Sequence, residues 1–149
     1  MLSINMCRVL WKVNNIILTD SQEEKLNDIS RDAHPNEGCA FLLGHIKKDT
    51  LEISDILQTE NMDKSRVTFH IDPKTVFETY ERADRENKTV GIFHSHSAPP
   101  RPSSVDIQYM EVNPVVWLII STTTNSLAAY QLINDQLRTI KILSKKDNV

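Results

Sequence analysis

The sequence predicts a single α/β domain, a mixed and mostly antiparallel sheet with helices packed beside it. Strand-like segments outnumber helical ones, neighbouring strand segments are joined by short polar turns, and 149 residues suit one domain with a sizeable core. The domain is expected to span residues 1–149, with its core over about 16–143.

Ile16–Thr19 reads as the end of a short strand, with Val9–Val13 as an extended piece before it. Asp20 offers an N-cap, and Glu23 stands three residues on, the spacing of a capping box. Leu26, Ile29 and Ala33 follow at helical spacing, so residues 21–33 read as an amphipathic helix closed by Pro35. Cys39–His45 and Leu51–Leu57 form a hairpin about the turn Lys47-Lys48-Asp49. Asn61–Ser65 is a polar loop and Val67–Ile71 another short strand. Asp72-Pro73 starts a helix, with Asp as cap and Pro at the first helical position; Val76, Phe77, Tyr80 and Ala83 give its buried face. Thr89–His94 is a compact strand, followed by a loop stiffened by Pro99, Pro100 and Pro102 and a short helix over Ser103–Glu111. Val115–Ser121, Leu127–Ile133 and Leu137–Leu143 are the last strands, with turns at Thr124-Asn125 and Asn134-Asp135.

Composition narrows the function. Hydrophobic residues make up 40% and charged residues 25%, as in an ordinary globular protein, and the net charge of −3 offers no bulk attraction for nucleic acid. Three glycines provide no phosphate-cradling loop. Cys7 and Cys39 make no Cys-x-x-Cys pair, which excludes zinc ribbons, thioredoxin-like chemistry and the Cys pair of zinc deaminases. Nothing in the composition demands a disulfide between them. No segment reads as a secretory signal, and the longest apolar run, Val115–Ile120, is too short to cross a bilayer. The expected location is cytoplasmic, with no membrane partner.

The informative segment runs from His94 to Asp106. In an extended strand residues two apart share a face, so His94 and His96 present both imidazoles to one side. A catalytic zinc takes three protein ligands and keeps a fourth position open. Asp106, brought back by the proline loop and the first turn of the next helix, supplies the third. Ser103-x-x-Asp106 is also a helix capping box with Ser103 as N-cap, and a cap fixes where Asp106 points. Hydrolysis of an amide needs in addition a group that takes the proton of water and delivers it to the leaving amine. Glu37, just before the apolar strand Cys39-Ala40-Phe41-Leu42-Leu43-Gly44, is the candidate; an ordinary loop carboxylate is the alternative reading of that segment alone.

With both segments in view, the chain resembles the JAMM family, the active MPN-domain metalloproteases. That family carries a Glu before an apolar strand ending in Leu-x-Gly, then His-x-His and Ser-x-x-Asp; here these are Glu37, Leu42-Leu43-Gly44, His94, His96, Ser103 and Asp106. The resemblance implies the MPN/JAMM fold and one zinc per chain held by His94, His96 and Asp106. It further implies Glu37 as general base and acid, and Ser103 as a donor to the tetrahedral oxyanion. The implied activity is (iso)peptide hydrolysis at the C-terminus of a ubiquitin-like modifier or a sulfur-carrier protein, whose tail would lie extended, commonly as a strand added to a sheet edge. The chain departs from the family in the loop after the second His, which has six residues, Ser97 to Pro102, one fewer than usual, and begins with Ser97 in place of Pro. Its size implies a minimal, prokaryote-type member. A catalytically silent MPN-type scaffold is the alternative, and a homodimer is compatible with either.

The remaining candidates carry bland readings. His34, His45 and His70 are expected to be structural or exposed, and Cys39 a buried small hydrophobe. Trp11 and Trp117 read as core or partner-facing. Ser95, between the two histidines, is expected to point to the opposite face, and Arg101 to stand near substrate.

Overall fold

Residues 12–147 are described by a computed structural model. Its elements run β1 (Asn15–Thr19), α1 (Asp20–Ala33), β2 (Cys39–Lys47), β3 (Thr50–Thr59), α2 (Pro73–Arg85), β4 (Thr89–His96), α3 (Ser104–Val112), β5 (Val116–Ser121), β6 (Leu127–Ile133) and β7 (Gln136–Lys145). The strands lie in the order β1-β3-β2-β4-β5-β6-β7, and β1 pairs with β7 as well as β3, so the ladder closes on itself. The pairings β2–β3, β2–β4, β5–β6 and β6–β7 are antiparallel; β1–β3, β1–β7 and β4–β5 are parallel. The mixed, mostly antiparallel α/β architecture is therefore the one expected. A parallel pair needs a crossover, and α3 occupies the one between β4 and β5.

Period-two alternation divides the apolar residues between two cores. Ile16, Leu18, Leu42, Phe93, Leu118 and Ile140 point inward, where Leu26 and Ile29 of α1 join them. Phe41, Leu43, Ile92, Trp117 and Ile119 point outward, beneath Ala83 of α2, Met110 of α3 and the segment bearing Phe69 and Ile71. The side chains that follow Ile92 on its face, His94 and His96, belong to this outer layer.

Hairpin turns fall where residues tolerate left-handed backbone: Asn125, Asn134 and Asp135 have φ of 56°, 51° and 63°. Between Leu43 and Gly44 the β2–β3 register shifts by a bulge. A Cβ on Gly44 would lie 2.2 Å from the Glu52 carbonyl oxygen, so glycine is required there. β1 pairs with β3 only at Thr50–Glu52; beyond that point Gln22 and Lys25 of α1 donate to the carbonyls of Ile53 (2.9 Å) and Ile56 (3.1 Å).

Three sequence expectations are corrected. The N-cap of α1 is Thr19, not Asp20: Thr19 Oγ1 accepts from Gln22 N–H at 3.2 Å and Gln22 Oε1 accepts from Thr19 N–H at 2.9 Å. Gln22 also donates to Ile53, which the carboxylate of Glu23 has no hydrogen to do. Val67–Ile71 is no strand, because side chains satisfy its backbone: Ser65 Oγ accepts from Val67 and Thr68 N–H, and Asn61 bonds both Thr68 and His70. Phe77 is 58% exposed, since α2 docks through Val76, Thr79, Tyr80 and Ala83 and Phe77 lies off that stripe. Of the extended piece at Val9–Val13, residues 9–11 lie outside the described residues, and Val13 is buried without belonging to a strand.

Candidate metal centre

The β2–β4 register sets the site. Cys39 pairs with His94, so in this antiparallel ladder Glu37, two residues before Cys39, stands across from His96. Two hydrogen bonds carry the pairing past the end of β2: Ser95 N–H donates to the Gly38 carbonyl at 3.0 Å, and Gly38 N–H donates to Ser95 Oγ at 2.8 Å. The Pro100 carbonyl accepts from Tyr130 Oη at 2.9 Å, which ties the proline loop to β6.

That loop delivers α3. Ser103 is its N-cap; Ser103 Oγ accepts from Asp106 N–H at 3.1 Å, and Asp106 Oδ2 accepts from Ser103 N–H at 2.9 Å. The same Oδ2 lies 3.1 Å from His94 Nε2 and 3.0 Å from His96 Nε2, and the two Nε2 atoms are 2.9 Å apart. The cap thus aims the carboxylate at the histidines. Glu37 Oε2 stands 3.8 Å from His96 Nε2. Glu37, His94, His96 and Asp106 are all buried, none more than 6% exposed. The structure brings these four and Ser103 together from three separate places in the chain: the entry to β2, the end of β4 and the start of α3.

Burial disfavours charge here, and the neighbours decide what survives. Burial pushes the Glu37 carboxyl up to about 8; His96 pulls it partly back and Asp106 adds to the rise. Burial acts in the same direction on Asp106, but hydrogen bonds from His94 and His96 hold it far below the usual carboxylate range. Burial lowers His94, and its bonds to Asp106 do not make up the difference. For His96 burial is outweighed by Asp106 and Glu37, so its pKa is raised.

Three lone-pair atoms within 2.9–3.1 Å of one another can share few protons, whereas one cation between them satisfies all three. Two imidazole nitrogens and a carboxylate oxygen form a donor set suited to a divalent transition metal. Glu37 with His94 and His96 forms a looser set, their ligand atoms within 4.8 Å of one another. The contacts of Asp106 with the two histidines, at 3.0–3.1 Å, are tighter than the 3.8 Å between Glu37 and His96.

Several neighbours escaped the sequence reading. Phe69 stacks on His94, ring centroids 4.6 Å apart and planes at 25°, and Asn61 Nδ2 donates to the Glu37 carbonyl at 3.0 Å. A lone aromatic in a polar stretch and an Asn at the head of a loop are the only signals of either. Ser95, which had no assigned role, is the hydroxyl that fastens Gly38.

His34 and His45 are exposed, and His70 Nδ1 bonds Tyr109 Oη at 2.8 Å. Cys39 is a free, buried thiol, pushed up to about 12 by burial and by the charge of Glu37, which disfavours the thiolate. Trp117 is buried with its Nε1–H on the Asn113 carbonyl at 2.9 Å; Trp11 and Cys7 lie outside the described residues. Arg101 is exposed. Among the described residues no helix is long and apolar enough to cross a membrane.

Residues 19–133 match a family model described as prokaryotic homologs of the JAB domain. A desampylase from Pyrococcus furiosus is 41% identical over 87 residues, a match covering 57% of this chain and 59% of that protein's length. The solution structure of a Desulfitobacterium hafniense protein superposes with a TM-score of 0.77 at 28% identity, covering 89% of this chain and 94% of the other.

Proposed function

Since the chain belongs to the prokaryotic JAB-domain family, of the JAMM/MPN kind, we propose that it is a zinc-dependent hydrolase of peptide or isopeptide bonds. The observation that carries this reading is the convergence of His94, His96 and Asp106 to within 3.1 Å, with the Glu37 carboxylate 3.8 Å from His96. His94, His96 and Asp106 would hold one zinc per chain. Zinc bound there supplies Lewis acidity, which brings the pKa of water down to about 7.

Glu37 takes a proton from the attacking water and passes it to the leaving amine. Its carboxylate, 3.8 Å from His96 and outside the tight trio, is placed to hold that proton and then release it. Ser103 Oγ already accepts from Asp106 N–H, so its own hydrogen is free to donate to the developing oxyanion. The substrate class proposed is a ubiquitin-like modifier or sulfur-carrier protein cut at its extended C-terminus. The enzyme reading is supported over a silent scaffold by the complete set of ligands, base and oxyanion donor, and by the match to a desampylase.

The test pairs elemental analysis with cleavage of ubiquitin-like and sulfur-carrier fusions, read by mass spectrometry. About one zinc per chain is expected in both the parent and Glu37→Gln, with cleavage lost only in the variant. Parent-like cleavage by Glu37→Gln, or no zinc after supplementation, would overturn the reading.

A further inference from the structure

The segment from Asn61 to Ile71 packs against Glu37, His94 and the helix that carries Asp106. Its Ser65 carbonyl accepts from Glu37 N–H at 2.7 Å. Phe69 lies flat on the ring of His94. His70 bonds Tyr109, on the helix that carries Asp106. Yet the segment is neither helix nor strand, so no ladder of its own holds its shape.

Side chains hold it: Ser65 Oγ accepts from Val67 and Thr68 N–H, and Asn61 makes the bonds that reach farthest across it. Asn61 is 8% exposed and makes four hydrogen bonds, each of 3.0 Å. Nδ2 donates to the carbonyls of Glu37 and Thr68; Oδ1 accepts from the N–H of Asp63 and His70. Two donors meeting two carbonyls and one oxygen meeting two N–H groups use the full capacity of the amide, and only this orientation of it fits. No other natural side chain of this size offers both functions at those positions. Three of the bonds set the shape of the loop, and the fourth fastens that shape to the backbone of Glu37.

We infer that Asn61 is the positioning residue of the site: it folds the 61–71 segment and clamps it to the Glu37 backbone, fixing where the Glu37 carboxylate stands relative to His94 and His96. The inference rests on the reading of Glu37 as the base. Asn61 itself touches neither the metal ligands' donor atoms nor the carboxylate. Its loss therefore leaves the ligand set intact and loosens the base.

The experiment uses the full chain with Asn61→Ala and the isosteric Asn61→Asp, which presents oxygen to two carbonyls. Zinc stoichiometry is expected to stay at the parental value and zinc affinity within about threefold, while amide hydrogen exchange quickens at Glu37, Gly38 and residues 62–70 and stays slow in β5 and β6. Turnover of a ubiquitin-like fusion is expected to fall about 10- to 100-fold, in kcat rather than KM, a range typical of lost supporting contacts around a metal site. The proposal is overturned if exchange at Glu37 and Gly38 is unchanged, or if kcat is unchanged. It is equally overturned if zinc is lost in step with activity, or if both variants unfold throughout, since Asn61 would then serve the fold or the ligands in general. Should the parent cleave no substrate, the proposed function fails, and the exchange and zinc arms still decide whether Asn61 holds Glu37.

Discussion

Glu37 and His96 face one another across the continuation of the β2–β4 ladder, carboxylate oxygen to imidazole nitrogen at 3.8 Å. Backbone register, carried on through Ser95 and Gly38, sets these two residues opposite one another. Its consequences can be measured.

The protonation of Glu37 makes stability depend on pH in the metal-depleted protein. A carboxyl raised from 4.5 to about 8 keeps its proton in the folded state where the unfolded chain has released it. The folded state therefore binds more protons in that window, and this group's contribution to stability declines as pH rises from 4.5 to about 8. Glu37→Gln removes the decline. Thermal melts of chelator-treated protein should show the variant more stable than the parent at pH 8, with the gap closing near pH 4.5.

Restoring zinc should stabilise the parent. Binding to the folded state alone contributes about 2.7 kcal/mol when free zinc is 100 times Kd. Titration calorimetry and melts should show a saturable rise in Tm for the parent and none for His94→Ala.

Ser103 serves two purposes, which predicts two separable losses. As N-cap of α3, its replacement in Ser103→Ala costs about 0.5–2 kcal/mol in urea unfolding. As oxyanion donor, its loss lowers kcat by about 10²–10³. A variant with reduced stability and full turnover would assign Ser103 to the cap alone.

Gly44→Ala tests the bulge. The new methyl would collide with the Glu52 backbone at 2.2 Å, and backbone cannot swing aside as a side chain can. Overpacking of this kind costs about 1–3 kcal/mol, measured as a lower urea midpoint at unchanged slope.

Much of the site was legible because each piece obeys a local rule. His94 and His96 share a face by the strand period, and Ser103 and Asp106 announce themselves by cap spacing. Glu37 could be singled out as an acid with no solubility role before an apolar strand; its place opposite His96 needed the register. Thr19–Gln22 and Asp20–Glu23 are equally good boxes on paper, and a tertiary bond from Gln22 to Ile53 separates them. Val67–Ile71 has strand composition, but Asn61 and Ser65 supply partners that no periodicity reveals. Phe69 stays invisible for the same reason: its contact with His94 exists only once the loop has folded back.

The side chains of Gln22 and Lys25 that cover the carbonyls of Ile53 and Ile56 bear on how this molecule meets others. A visiting peptide or a sister copy seeking to zip onto β3 there would have to pry away α1, and Leu26 and Ile29 with it. Recognition by backbone pairing is steered away from that flank, which guards the chain against self-propagating stacks built there.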